Sequence, residues 1–209
     1  MSLLTTPQLV ALYNNILKAG AHEYNSKTFW SHLIRTGFIK SEDVIYASEI
    51  PPTPLSADKF RRVDFGFYTL NRHLELQVVA LGEIKRATGS IDEVEAQLQE
   101  ACQACVMYTK EDVWGIAMKG TMAQVFQHTY ATNQFFSITG DKYIDANSPN
   151  AGILANAFTT LATSITQPVQ SAQPVASSST PADGWYPAND GTNRQRYYQS
   201  GQWTNHYDP

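Results

Sequence analysis

The sequence predicts an α/β fold in which helical segments flank a run of strands. Three observations carry this. Apolar residues recur at helical spacing over 7–22 and again in "TGSIDEVEAQLQEACQACVMY". Between those stretches lie three strand-like runs, "DVIYASEIPPTP", "RRVDFGFYTL" and "LELQVVALGEIK". The last two are joined only by "NRH", which makes them an antiparallel hairpin.

Each element has a local reason. Over 7–22, Leu9, Leu12, Ile16 and Ala19 form one stripe, and Lys27 to Arg35 carries Phe29, Trp30, Leu33 and Ile34. Prolines stop the first strand. Ser90 is suited to cap the long helix, and Asp92, Glu93 and Glu95 suit its positive end. Its buried stripe is Ile91, Val94, Leu98, Ala101, Cys102 and Cys105. "VWGIAMKGTMAQVFQHTYA" reads as a strand pair around Lys119–Gly120, and "FFSITGDKYIDA" as another. Residues 150–165 read as a closing helix with Ile153, Ala157, Leu161 and Ile165 on one side. Residues 1–165 thus form one folded domain. Residues 166–183, rich in Ser, Ala, Gln and Pro, are a disordered linker. Residues 184–209, with two Trp and four Tyr, are a small aromatic β-rich module.

Composition bounds the function. A chain of 209 residues, 43% hydrophobic and 16% charged, holds one ordinary core plus something small. A net charge of −4 argues against coating nucleic acid through bulk positive charge. Residues 59–86 are nevertheless locally basic, with Lys59, Arg61, Arg62, Arg72, Lys85 and Arg86 against Asp64, Glu75 and Glu83. No segment is long and apolar enough to span a membrane, and the N-terminus is not signal-like. An intracellular location, cytoplasmic or nuclear, is expected, and Cys102 and Cys105 are read as packing residues rather than a redox pair or half a zinc site.

The chemistry concentrates where the third strand ends. In "LGEIK", strand alternation points Glu83 and Lys85 the same way and Ile84 the other. If the hairpin forms, Asp64 lies near both at one end of the sheet. Two close carboxylates and the Ile84 carbonyl make an all-oxygen site for Mg²⁺ or Mn²⁺. Lys85 is placed to orient a water or stabilise charge on a phosphate. The competing reading is an ion-pair network on a sheet edge.

"RVD" ending at Asp64, then "GEIK" at 82–85, within the helix–strand–strand–strand–helix order, resembles the PD-(D/E)XK nuclease superfamily over roughly residues 7–130. Val63 stands where that family often has proline. The resemblance implies a restriction-endonuclease-like α-β-β-β-α-β core with extra strands, here, and metal-dependent hydrolysis of a nucleic-acid phosphodiester. It implies catalytic roles for Asp64, Glu83 and Lys85, with Gln97 and Tyr108 of the following helix approaching the site. A further acid from the first helical region would be Glu23, with Glu49 behind it. Arg61, Arg62 and Arg86 are the expected nucleic-acid contacts. A catalytically silent nuclease fold serving as a binding or scaffold protein is the alternative. The tail, from "GWYP" through "RYY" to "WT", resembles a short domain of unknown function and also a WW domain. Trp185, Tyr197 and Trp203 are its expected partner-binding residues, tethering the chain to a protein or surface.

Overall fold

The computed structural model describes residues 2–54, 62–71 and 73–166, together with the strand segments 184–187, 195–199 and 202–207. The chain divides into two compact units, Met1–Pro168 and Val169–Pro209. Residues 167–183 of the expected linker lie outside the described residues, as do Arg61 and the side chains of Trp185, Tyr197 and Trp203.

The first unit runs α1 (Pro7–Ile16), α2 (Glu23–Gly37), β1 (Ile45–Ile50), β2 (Val63–Leu70), β3 (Leu76–Lys85), α3 (Ile91–Thr109), β4 (Val113–Lys119), β5 (Met122–Thr129), β6 (Gln134–Ser137), β7 (Ile144–Asp145) and α4 (Ala151–Thr166). The strands form one mixed seven-stranded sheet in the order β1-β2-β3-β4-β5-β6, with β7 beside β6 on the same edge of β5. Among the described residues only β3 and β4 pair in parallel, and α3 makes the crossover between them. All other pairs are antiparallel. β6 and β7, expected to pair with each other, instead both pair with β5.

Two cores cover the two faces. One joins Leu9 and Ile16 of α1, Phe29, Trp30, Leu33 and Ile34 of α2, and Leu154, Phe158 and Leu161 of α4 to Phe65, Phe67, Ile84 and Ile116 of the sheet. The other packs Val94, Leu98, Ala101, Cys102, Cys105 and Val106 of α3 against Val63, Leu81, Val113 and Ala117. Ser90 caps α3, its side chain accepting from the Glu93 N–H, and Lys110 ends it in the left-handed region.

The expected helix over 7–22 is shorter than its stripe. Thr6 caps it and Pro7 opens it, but it stops at Ile16, and Gly20 turns the chain at φ +75°. Ala19, expected in the core, is exposed, and α2 begins earlier than expected, at Glu23. The Trp30 indole N–H then donates to the Gly120 carbonyl at 2.8 Å. Gly120 in turn donates to the Lys85 carbonyl at 2.9 Å. Helix α2, the β4–β5 turn and the end of β3 are thereby tied together.

The second unit is a three-stranded antiparallel sheet of β8 (Gly184–Pro187), β9 (Gln195–Gln199) and β10 (Gln202–Tyr207), with β9 in the centre.

Candidate functional site

The site is built on the end of the β2–β3 hairpin. Its ladder includes Phe65 opposite Gly82, and continuing that register sets Asp64 opposite Glu83. A Cβ on Gly82 would fall 2.0 Å from the Phe65 ring, so the missing side chain leaves room for the end of the ring over β3. Beyond this contact the Ile84 N–H is taken by a side chain, donating to Asp64 Oδ2 at 2.8 Å. In an extended strand the N–H and C=O of one residue point to the same side, so the Ile84 carbonyl also looks toward β2. Ile84 packs its side chain with the α2 and α4 core. Glu83 and Lys85 project together, as strand alternation requires, with Lys85 Nζ 3.1 Å from Glu83 Oε1.

Burial makes this pair costly. The side chains of Glu83 and Lys85 are 3% and 9% exposed, and a charge so placed persists only with close partners. Lys85 also lies 3.9 Å from Glu93 Oε1, and Glu93 accepts from Gln97 Nε2 at 2.9 Å. Among the described residues Gln97 Oε1 is buried without a hydrogen-bond partner. It borders a cleft of about 200 Å³ shared with Glu83, Arg62 and Glu100. Asp64 has a different cation. Lys27 of α2 stands 3.7 Å from Asp64 and 3.6 Å from Glu49. The two carboxylates thus share a register position but draw their lysines from different elements.

Other expected residues fall elsewhere. Tyr108 is 48% exposed and lines a separate cleft with Tyr68, Leu76 and Cys105. It lies eleven residues beyond Gln97, about 16 Å along the helix. Glu23 is exposed at the start of α2, while Glu49 shares Lys27 with Asp64. Arg62 donates to the Glu49 carbonyl at 3.4 Å, and Arg86 is exposed. Lys27 and Glu93 were not among the expected site residues. Lys27 has no sequence signal, because packing of α2 delivers it. Glu93 had one, its four-residue spacing from Gln97 on the helix that follows Lys85.

Among the described residues no group of three or more His, Cys, Asp or Glu side chains is arranged to hold a metal ion. The groups that could serve a cation here are two carboxylates and a main-chain carbonyl, all oxygen, the donor chemistry that Mg²⁺ takes. Each of the two acids has a lysine within 4 Å, Lys27 at Asp64 and Lys85 at the buried Glu83. The C-x-x-C pair offers no competing chemistry. Burial pushes the Cys105 thiol up to about 12 and raises Cys102 well above its usual value, so both stay protonated. In comparisons with known proteins, the chain matches no family model, no curated protein and no solved structure.

Proposed function

We propose that the chain is a metal-dependent nuclease of the PD-(D/E)XK type, with a restriction-endonuclease-like core and a C-terminal interaction module. The observation that carries this reading is the Ile84 N–H donating to Asp64 Oδ2 at 2.8 Å just past the Phe65–Gly82 pair, with Lys85 beside Glu83. The order α2, β1, β2, β3, α3, β4 supports it. Asp64, Glu83 and the Ile84 carbonyl would hold Mg²⁺ or Mn²⁺. When bound, that ion supplies Lewis acidity toward a phosphodiester oxygen and makes a nearby water more acidic.

This chain's own residues do the rest. Lys85 orients the attacking water or offsets charge developing on the phosphate, from a buried position where its charge is poorly screened. Gln97 lines the adjoining cleft and positions Glu93. Arg62 and Arg86, with Arg61, contact the nucleic-acid backbone. The tail's three-stranded sheet serves as a tether to a protein partner. Among the described residues no helix is long and apolar enough to cross a membrane.

One observation favours a second reading, a silent nuclease fold that acts as a scaffold. Each carboxylate already has a lysine within 4 Å, and the Asp64 carboxylate also holds the Ile84 N–H. Titration calorimetry with Mn²⁺ separates the two. The wild type should bind Mn²⁺, and Asp64→Ala or Glu83→Ala should weaken binding by ~tenfold or more, since one carboxylate holds the ion poorly. Absence of binding, or binding indifferent to both substitutions, would favour the scaffold.

A further inference from the structure

Each candidate carboxylate has a lysine, and each lysine has a second carboxylate within reach. Lys27 lies 3.7 Å from Asp64 and 3.6 Å from Glu49. Lys85 lies 3.1 Å from Glu83 and 3.9 Å from Glu93. In both cases the inner acid is the more buried. Asp64 and Glu83 side chains are 20% and 3% exposed, against 72% for Glu49 and 51% for Glu93.

The backbone supports the pattern. Ser48 pairs with Phe65 and Ile50 with Val63, which places Glu49 opposite Asp64. Continuing the Phe65–Gly82 register by one residue then puts Glu83 on the other side of Asp64, so that the three acids follow one another across β1, β2 and β3. Glu49 takes φ +54°, a conformation that non-glycine residues rarely hold in a strand. On the other side, the Glu93 N–H is already met by the Ser90 cap, and the Glu93 carboxylate takes the Gln97 amide and lies within reach of Lys85.

We propose that Lys27 and Lys85 are the resident counter-ions of the metal-free site, and that Glu49 and Glu93 are positioning residues that receive them. When a divalent cation takes Asp64 and Glu83, Lys27 moves to Glu49 and Lys85 to Glu93. The outer acids keep both ammonium groups beside the site, where a phosphate arrives, instead of releasing them to solvent. Without these receivers each lysine would remain a competitor for the carboxylate the cation needs. This inference rests on the metal-site reading above.

A double-mutant cycle on the full chain, read as Mn²⁺ affinity by calorimetry, tests it. Lys27→Met removes the competitor and should tighten Mn²⁺ binding, while Glu49→Gln strands Lys27 on Asp64 and should weaken it, each by about five- to tenfold. In the Lys27→Met background the loss caused by Glu49→Gln should shrink to about twofold or less, because no lysine remains to be received. If Glu49 acted only through its charge, its loss would be as large or larger once Lys27 is gone, and that result would overturn the exchange. Glu93→Gln with Lys85→Met forms an independent second cycle, for which the same shrinkage is expected. Mn²⁺ binding that disappears with Asp64→Ala but shows no such coupling leaves the metal site standing and removes the exchange. Failure of the wild type to bind Mn²⁺ removes both.

Discussion

Burial decides what Cys102 and Cys105 do. Both thiols lie on the α3 face that packs against the sheet, and desolvation raises both above their ordinary value. In the unfolded chain each would ionise near 9, whereas the folded Cys105 holds its proton to about 12. Below the unfolded value both states are protonated and the stability is fully present. As pH rises from about 9 toward 12, the unfolded state alone releases the proton, so stability falls. Denaturant titrations should therefore give a lower unfolding free energy at pH 10.5 than at pH 8, and iodoacetamide should leave both thiols unmodified at pH 8 until the protein is unfolded. Rapid labelling of the native protein would place the thiols at the surface and contradict this packing. At the same scale, Glu83 and Lys85 were legible because a two-residue spacing in a strand fixes a shared face. Lys27 was not, because it is far from Asp64 in sequence and only tertiary packing brings it there. Tyr108 shows the converse error: a stripe shared with Gln97 says nothing about the distance between its ends.

The β2–β3 hairpin is the element on which the site depends. Its strands were readable from local signals alone, an apolar run on each side of a short polar turn, and the structure pairs them antiparallel with a shift of register between Phe67 and Tyr68. Its close approach was not readable, since nothing local says that the Phe65 ring will lie against Gly82. Gly82→Ala would set a methyl 2.0 Å from the buried Phe65 ring, one residue from Glu83. Overpacking of this kind should destabilise the protein by about 1–3 kcal/mol. The strands should also separate beside the site, weakening Mn²⁺ binding. A variant with unchanged melting temperature and unchanged Mn²⁺ affinity would show that the ring has room and that the hairpin does not need this contact. Helix ends were the least legible parts. The stripe of α1 continues past Ile16 in composition, but Gly20 at positive φ commits the chain to a turn that periodicity cannot register.

At the scale of the whole molecule, α1, α2 and α4 cover one face of a mixed sheet and α3 covers the other. The strand order follows from two facts visible in the sequence, a tight β2–β3 turn and a long helix between β3 and β4. A crossover helix demands a parallel pair, and β3 and β4 are that pair. The assignments of β6 and β7 were not visible, since two short strands can pair with each other or with a longer neighbour, and β5 wins because it has an open edge. This architecture brings α2 and α3 to the same end of the sheet from opposite faces, and so assembles Lys27, Asp64, Glu83, Lys85 and Glu93 from four elements. The most direct test of a metal-dependent nuclease site is cleavage of single- and double-stranded DNA and RNA by the full chain in Mg²⁺ or Mn²⁺, compared with Asp64→Ala, Glu83→Ala and Lys85→Ala. The wild type should show metal-dependent cleavage that falls by ~10²-fold or more in all three variants, with Mn²⁺ binding retained in Lys85→Ala. No cleavage by the wild type, or cleavage that survives in both acid variants, would contradict it.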